Sequence, residues 1–194
     1  MIRFFDFLFS LIGLILLLPV FLLICILIMV NSRGGAFYFQ MRVGKNGKDF
    51  NLIKFRTMVT DAEKQGGLTV GARDSRITST GYFLRKYKLD ELPQLINVLK
   101  GEMSLVGPRP EIRKYVDCYT PEQWFVLTVK PGITDYASIE FINENEILGS
   151  SANPEKTYLA EVMPAKIALN RKYIENMGIQ EYFRILFKTF GKLF

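Results

Sequence analysis

A long apolar segment at the N-terminus constrains this chain more than any other feature. No charged residue occurs between Asp6 and Arg33, and residues 7–30 are almost all Leu, Ile, Val and Phe. About 20 such residues are enough to cross the hydrocarbon core of a bilayer. A secretory signal peptide does not fit, because the run is long and no small-residue cleavage site follows it. The segment therefore predicts a membrane-embedded helix.

Two membrane arrangements are compatible with this helix. A single transmembrane helix is the simplest, and such helices tolerate proline. The alternative is a re-entrant helix, because Pro19 lies near the middle of the run and removes a backbone donor there. Basic residues occur at both ends, Arg3 before the run and Arg33 and Arg42 after it. This distribution favours placing both ends on the cytoplasmic face.

The 194-residue chain is basic, with a formal net charge of +6, and contains no histidine. Such a charge favours anionic partners, among them nucleic acid, anionic lipid and phosphorylated substrates. Without histidine, chemistry at a site has to use a carboxylate, Lys, Tyr, Cys or a hydroxyl group. The two cysteines, Cys25 and Cys118, do not make a disulfide framework. A reduced, cytoplasmic body is therefore expected beyond the membrane segment.

Turn residues and hydrophobic spacing predict a small mixed α/β body. A glycine-containing turn at 44–47 separates two apolar runs, 37–40 and 50–53, which predicts a β-hairpin. A short helix bearing Arg85 is expected within residues 77–87. The next helix has apolar residues at i, i+3, i+4 and i+7, and we expect this face to be buried. Its apolar residues are Leu92, Leu95, Ile96 and Leu99.

Asp90 and Glu91 stand side by side just before that helix. One interpretation is structural, with Asp90 as an N-cap and Glu91 as a first-turn acid that complements the helix dipole. The other is functional, because adjacent carboxylates suit a nucleophile or a metal ligand. Cations in neighbouring motifs favour the second interpretation and predict a site for an anionic substrate. These cations are Lys54, Arg56, Arg85 and Arg109.

Arg109 lies in a stiff loop, since prolines precede and follow it in VGPRP at 106–110. Such a loop could hold a guanidinium as a bidentate phosphate clamp, although a solvated turn explains the same sequence. The C-terminal stretch has helical spacing of aromatic and aliphatic residues, with a basic stripe of Arg184, Lys188 and Lys192. An interfacial amphipathic helix and a helix packed on the protein's own core both fit it.

The motifs together resemble the bacterial sugar transferases known as small monotopic phosphoglycosyl transferases. The resemblance begins with the apolar segment around Pro19 and covers roughly residues 1–136. It includes KFRTM at 54–58, DSRIT at 74–78 and GYFLR at 81–85, and it resumes with KPGIT at 130–134. The most specific matches are LDELPQLINVLKG at 89–101 and MSLVGPRP at 103–110.

The resemblance implies a fold, a reaction and roles for particular residues. It implies a re-entrant membrane helix over 1–31 and a cytoplasmic catalytic domain over 32–194 with a C-terminal interfacial helix. The expected location is the cytoplasmic face of the bacterial inner membrane. By position, Asp90 matches the family's nucleophile and Glu91 its magnesium ligand. Basic residues lining the family's phosphate site match Lys54, Arg85 and Arg109.

The implied reaction has two steps. A UDP-sugar gives its phospho-sugar to the enzyme and releases UMP, and a polyprenol (undecaprenyl) phosphate then accepts the phospho-sugar. Departures from the common family pattern occur at Tyr87 and Lys88 and at Asp135 and Tyr136, and they leave the sugar unspecified. A rival hypothesis is a non-catalytic membrane-bound module for anionic lipid or nucleotide. That hypothesis gives the adjacent acids no role. No nucleic-acid-binding fold matches, so no nucleic-acid partner is expected.

Overall fold

The computed structural model describes residues 1–60, 62 and 74–193. It has the expected mixed α/β character, with a long N-terminal helix, short strands and a helical C-terminal half. The strands are β1 (Phe37–Val43), β2 (Asp49–Phe55), β3 (Ser104–Val106) and β4 (Gly132–Thr134). The helices are α1 (Ile2–Asn31), α2 (Ser79–Lys86), α3 (Gln94–Lys100), α4 (Arg113–Val116), α5 (Tyr136–Glu140), α6 (Glu144–Gly149), α7 (Pro154–Thr157), α8 (Met163–Glu175) and α9 (Ile179–Leu193).

Strands β1 and β2 form the predicted hairpin. They pair antiparallel from Phe37 opposite Phe55 to Val43 opposite Asp49. Asn46 makes the turn with a φ of 56°, in the left-handed region that Asn tolerates better than most residues. Because side chains alternate along a strand, Lys54 lies on one face of the hairpin and Phe55 on the other. Phe55 is buried, with its ring centroid 5.0 Å from that of Phe21 in α1.

Helix α1 runs as one continuous helix through Pro19, so the turn expected near this proline does not interrupt the helix. Both of its ends nevertheless bond to the body of the protein. At the start, Arg3 donates to the carbonyls of Val98 and Leu99 at the end of α3. At the other end, the Asn31 amide donates to the Ser79 hydroxyl over 2.9 Å.

The side of α1 that faces away from the body is apolar and exposed. Only 17% of its most hydrophobic 18-residue window is buried, so the body covers a narrow strip of the helix. Exposed residues extend along its whole length, from Phe4 to Val30. Water is a poor environment for such a surface, and a bilayer is a suitable one. The helix is thus long and apolar enough to be embedded in a membrane.

Helices α2 and α3 form where the sequence predicts them, but the buried face of α3 differs from the expected one. The leucine stripe is only half-buried, whereas Gln94, Asn97 and Val98 are buried. The stripe packs on α1, a single helix that covers it incompletely, and Leu95 closely approaches Gly13. The opposite face packs on β2, where the Asn97 amide accepts from Ile53 N and donates to Asn51 O.

Strands β3 and β4 form a short parallel pair that places the loop after each strand side by side. Gly107, directly after β3, crosses Gly132, the first residue of β4. A β-carbon on Gly132 would lie 2.1 Å from Gly107 N, so no larger residue fits there. The crossing is bonded by Gly107 N to Thr134 O at 3.0 Å and by Gly132 N to Pro108 O at 2.9 Å. This contact fixes the backbone next to Arg109.

Helix α9 confirms the predicted C-terminal helix, and one of its faces packs on the protein's own core. Tyr182 and Ile185 are fully buried in the protein's own core, whereas Phe187 and Phe190 are exposed. The Phe183 ring packs 5.2 Å from that of Phe5 in α1. One face of α9 thus packs on the protein, and its exposed aromatic residues remain available to a bilayer interface.

Candidate active site

Asp90 and Glu91 lie in a short 3₁₀ turn, Leu89–Glu91, between α2 and α3. The turn follows Lys88, which has a φ of 55° in the left-handed region that non-glycine residues rarely adopt. Pro93, not Asp90, occupies the N-cap of α3, and neither the turn nor α3 has a side-chain cap. The N-cap interpretation of Asp90 is therefore wrong. The turn instead directs both carboxylates towards neighbouring cations.

Glu91 is held by two of the predicted cations. Its Oε1 accepts from Lys54 Nζ at 3.0 Å, and its Oε2 accepts from Arg109 Nη1 at 3.0 Å. Arg109 Nη2 also donates to Oε1, so the guanidinium grips the carboxylate with both of its terminal nitrogens. Bidentate pairs of this kind are among the strongest side-chain interactions. The structure thus joins β2, the turn before α3 and the loop after β3 at one carboxylate.

Burial and charge act against each other in this cluster. Burial opposes ionisation of Glu91, but Arg109 and Lys54 outweigh it and hold its pKa well below the usual range. The pKa of Lys54 is lowered by burial, which Glu91 offsets only in part. The attraction of Glu91 raises the pKa of Arg109. Glu91 and Arg109 therefore stabilise each other's charged forms, whereas burial makes Lys54 less basic.

Asp90 differs from Glu91 because its carboxylate has no such partner. It is 7% exposed, and among the described residues none makes a hydrogen bond or an ion pair with its carboxylate. Burial raises the pKa of Asp90, Lys54 opposes this shift, and the neighbouring Glu91 adds to it. A desolvated carboxylate without hydrogen bonds is a better nucleophile than a hydrated one. The site therefore pairs a firmly held carboxylate with an unengaged one.

Arg85 approaches the same cluster from α2. Its Nε donates to Thr57 Oγ1 at 2.8 Å, and its charge acts on Asp90. Burial lowers the pKa of Arg85, and the attraction of Asp90 opposes that shift. Gly81 packs so tightly on Thr57 that a β-carbon there would lie 2.0 Å from the Thr57 carbonyl oxygen. Helix α2 is thus fixed to the end of β2, and Arg85 with it.

Arg56 has a different position from the one the sequence suggested. Its guanidinium donates to the carbonyls of Ser32 and Arg33, just after α1, and it is buried there. No described hydrogen bond or ion pair joins Arg56 to Asp90 or Glu91. The structure thus uses Arg56 to fix the exit of the membrane helix. The remaining predicted residues, Lys54, Arg85 and Arg109, are the ones brought together around the two carboxylates.

The sequence model of a family described as bacterial sugar transferase matches residues 1–194. This chain belongs to the bacterial sugar transferase family.

Three relatives of known name are similar to this chain over most of its length. An Aeromonas hydrophila UDP-N-acetylgalactosamine-undecaprenyl-phosphate N-acetylgalactosaminephosphotransferase is 37% identical over 95% of this chain and 41% of its own length. A Caulobacter vibrioides UDP-glucose:undecaprenyl-phosphate glucose-1-phosphate transferase is 33% identical over 90% of this chain and 62% of its own. The exopolysaccharide production protein ExoY of Rhizobium meliloti is 34% identical over 96% of this chain and 82% of its own length. The chain thus spans less than two thirds of the first two relatives.

Two site residues of this sugar transferase were missed by the sequence interpretation. Asp135 is fully buried, and its Oδ2 accepts from Arg109 N at 3.1 Å while its Oδ1 accepts from Ser138 N at the start of α5. Arg42 donates to the Pro110 carbonyl over 3.0 Å. Asp135 and Arg42 therefore hold two neighbouring residues of the loop that carries Arg109. Asp135 could have been found from its position just after the stiff KPGIT turn, whereas Arg42 gave no such signal.

The carboxylates of this sugar transferase fit a magnesium ion that arrives with a substrate. No cluster of three or more Cys, Asp or Glu side chains suited to a metal occurs in residues 1–60, 62 and 74–193. Mg²⁺ needs no such cluster, because it is usually bound through one or two carboxylates, waters and the phosphates of its substrate. Glu91, next to the unengaged carboxylate of Asp90, supplies that donor set.

Proposed function

We propose that this sugar transferase moves a phospho-sugar from a UDP-sugar to polyprenol phosphate, with undecaprenyl phosphate as the expected acceptor. The products are UMP and a polyprenol diphosphate sugar. The observation that carries the proposal is the state of Asp90, a buried carboxylate with no hydrogen bond from the described residues, surrounded by the charges of Lys54, Arg85 and Arg109. The names of the Aeromonas and Caulobacter relatives support the same donor and acceptor classes.

In the first step, an Asp90 carboxylate oxygen attacks the phosphorus that bears the sugar. The bond from this phosphorus to the bridging oxygen breaks, and that oxygen leaves on UMP with the electron pair. The phospho-sugar is then bound covalently to Asp90. The attacking group is a carboxylate rather than a hydroxyl, which explains how a chain without a histidine base can perform the reaction.

In the second step, a phosphate oxygen of the polyprenol phosphate attacks the same phosphorus. The bond between Asp90 and phosphorus breaks, and its electron pair returns to the carboxylate. Neither step needs a base to activate the nucleophile, because both nucleophiles are anions. The main barrier is repulsion between anions, which Lys54, Arg85 and Arg109 reduce by stabilising charge on the phosphoryl oxygens.

We assign Glu91 as the protein ligand of magnesium in this reaction. When bound, Mg²⁺ neutralises part of the diphosphate charge and polarises the phosphoryl group. Lys54 and Arg109 hold the Glu91 carboxylate in a fixed orientation, which is the task of outer partners at a metal site. The same two cations can also contact the diphosphate, because the Arg109 side chain is 34% exposed.

The membrane arrangement we propose is monotopic, with residues 1–31 entering the cytoplasmic leaflet of the inner membrane and returning to the same side. Bonds at both ends of α1 to one body support it. Asp6, near the start, accepts from Ser104 Oγ, Leu105 N and Tyr182 Oη at 2.9–3.0 Å. Arg56 binds the carbonyls that follow the end of α1. A helix that crossed the bilayer would place parts of this one body on opposite sides of the membrane, because the body bonds to both ends of α1.

The direct test is release of UMP by the full-length protein in nanodiscs. The protein is mixed with undecaprenyl phosphate, Mg²⁺ and one member of a panel of UDP-sugars at a time. We expect UMP from at least one donor, and no UMP from Asp90→Asn with the same donor. A non-catalytic module that binds lipid or nucleotide would bind both variants alike and release UMP from neither. That result would overturn the proposal.

A further inference from the structure

An exposed aromatic surface on α2 is not explained by the active site. Tyr82, Phe83 and Tyr87 are 52%, 55% and 54% exposed, and Lys86 and Lys88 accompany them. We call these five residues the α2 patch. The rings of Phe83 and Tyr87 lie 4.8 Å apart, and Lys86 Nζ lies 5.5 Å from the Tyr87 ring centroid. Large exposed apolar groups that cluster in this way mark an interaction surface.

The α2 patch lies where the membrane helix ends. Ser79, the first residue of α2, bonds to Asn31, the last residue of α1. On the other side of α2, Leu84 is 1% exposed and packs in the cluster that contains Ile24 and Ile28 of α1. The last turn of α1 is itself apolar and exposed, with Val30 83% exposed. The patch therefore continues the apolar surface of α1.

The chemistry of the patch matches one environment, the headgroup region of an anionic bilayer. Tyrosine is enriched at that depth because its ring is apolar and its hydroxyl is polar. Lysine ammonium groups near the surface are attracted to anionic lipid phosphates. No acidic residue occurs between Ser79 and Leu89, so nothing in this segment opposes the attraction.

The patch is also linked to the nucleophile. Arg85 on the same helix donates to Thr57, and Gly81 packs on the Thr57 backbone, so α2 is rigidly fixed to the site. After Tyr87, the left-handed Lys88 turns the chain directly into the Asp90 turn. A bilayer that fixes the depth of α2 therefore also fixes the depth of Asp90.

We propose that the α2 patch binds the interface of an anionic bilayer, with its rings at the headgroup boundary and Lys86 and Lys88 on lipid phosphates. This contact sets the height of Asp90 above the membrane. The inference rests on the proposed membrane function and extends it by naming a lipid-charge requirement. Tyr87 and Lys88, which depart from the common family pattern, become residues that adapt this chain to anionic lipid.

The first test measures contact with lipid and needs no activity. Trp124 is the single tryptophan, so Trp124→Phe gives a background into which Phe83→Trp is introduced. The full-length protein is placed in nanodiscs whose lipids carry bromine near the headgroup end of the acyl chains. Lys156→Trp in the same background is the matched control, because Lys156 is exposed on α7, which packs against α6 and the helical segment that follows α7. We expect tryptophan 83 to be quenched severalfold more than tryptophan 156.

The second test measures the role of lipid charge. In discs containing phosphatidylglycerol, Lys86→Glu should lower the rate of UMP release several-fold, since each lysine near an anionic surface contributes several-fold. In pure phosphatidylcholine discs, this variant and the wild type should be equal. Lys156→Glu should match the wild type in both discs.

Each outcome decides a separate point. Equal quenching at positions 83 and 156 would overturn the lipid contact, and protection of position 83 that depends on protein concentration would assign the patch to a second copy. Equal effects of Lys86→Glu in both kinds of disc would overturn the role of lipid charge. Strong quenching at position 83 without UMP from any donor would support the surface and refute the proposed transferase function.

Discussion

At the scale of single residues, the active site depends on two adjacent carboxylates whose pKa values are shifted in opposite directions. Glu91 accepts hydrogen bonds from Lys54 and Arg109, and Asp90 is buried without hydrogen bonds from described groups. A carboxylate that is costly to ionise in the folded protein is unfavourable for stability but useful as a nucleophile. A substitution that removes the charge of Asp90 should therefore lower activity and raise stability.

Asp90→Asn should abolish turnover and stabilise the protein. An amide is a poor nucleophile, so UMP release should fall roughly a thousandfold or more. Because the folded pKa of Asp90 is raised, its ionisation removes folding stability as pH rises from the unfolded pKa through the folded one. The variant's apparent Tm should thus exceed that of the wild type at pH 7, and the difference should shrink on acidification. A lower Tm at pH 7 would contradict the assigned burial.

Arg109→Lys should be impaired even though it keeps the charge. A lysine ammonium cannot reproduce the two-nitrogen contact with Glu91 or its alignment with phosphate oxygens. Hydrogen bonds to charged groups contribute about 1.5–3 kcal/mol, so kcat/KM should fall roughly tenfold to a hundredfold. Alanine at Lys54 or Arg85 should have effects of similar size. Native steady-state kinetics for Arg109→Lys and for both alanine variants would place the phosphate site elsewhere.

The sequence largely predicted which residues form the site, but it did not predict which groups each of them contacts. The specific LDELPQL and VGPRP motifs predicted Asp90, Glu91 and Arg109, and Lys54 and Arg85 joined them in space. Arg56 did not, because the strand ends at Phe55 and the chain turns it towards the carbonyls after α1. Alternation along a strand cannot be extended past its last residue.

At the scale of elements, α1 is distinguished by attachments at both ends. The most buried of these is Asp6, which is 2% exposed and accepts three hydrogen bonds from β3 and α9. The sequence showed Asp6 only as the last charge before the apolar run. Its role depends on contacts with residues about 100 and 176 positions away, which no local pattern contains.

Asp6→Ala should loosen the start of α1 from the body. It removes the acceptor for three buried donors, including Leu105 N, and should cost on the order of 3 kcal/mol. Asp6→Asn is the matched control, because its amide oxygen can still accept from the same donors. Thermal unfolding in nanodiscs should show a clear drop in apparent Tm for alanine and a smaller one for asparagine. Equal apparent Tm values for the alanine and asparagine variants would show that Asp6 does not attach α1 to the body.

The two ends of α1 should lie on the same side of the membrane. One cysteine is placed in a short N-terminal tag and another at Arg33, each in a Cys25→Ser/Cys118→Ser background. Because Arg3 and Asn31 both bond to the body, both cysteines should resist an impermeant thiol reagent in intact cells and react once the inner membrane is opened. Labelling of the N-terminal cysteine alone in intact cells would establish a spanning helix.

At the scale of the whole molecule, the fold builds a charged site against an apolar membrane surface. The β-hairpin, α2 and α3 were predicted from local patterns, because turn residues and hydrophobic spacing are local. The sequence did not predict that the leucine stripe of α3 is only half-buried. The stripe is covered by α1, a helix with an exposed face of its own. The crossing of Gly107 and Gly132 was likewise invisible in the sequence, since it depends on a parallel pairing of distant strands.

Intact-mass analysis of the protein after exposure to UDP-sugar alone tests the central claim most directly. With Mg²⁺ present and polyprenol phosphate omitted, the first step should stop at the covalent intermediate. We predict a mass increase equal to one phospho-sugar, located on Asp90, absent from Asp90→Asn, and removed when polyprenol phosphate is added. Turnover to UMP and lipid product by a protein that never carries this adduct would contradict the covalent role of Asp90.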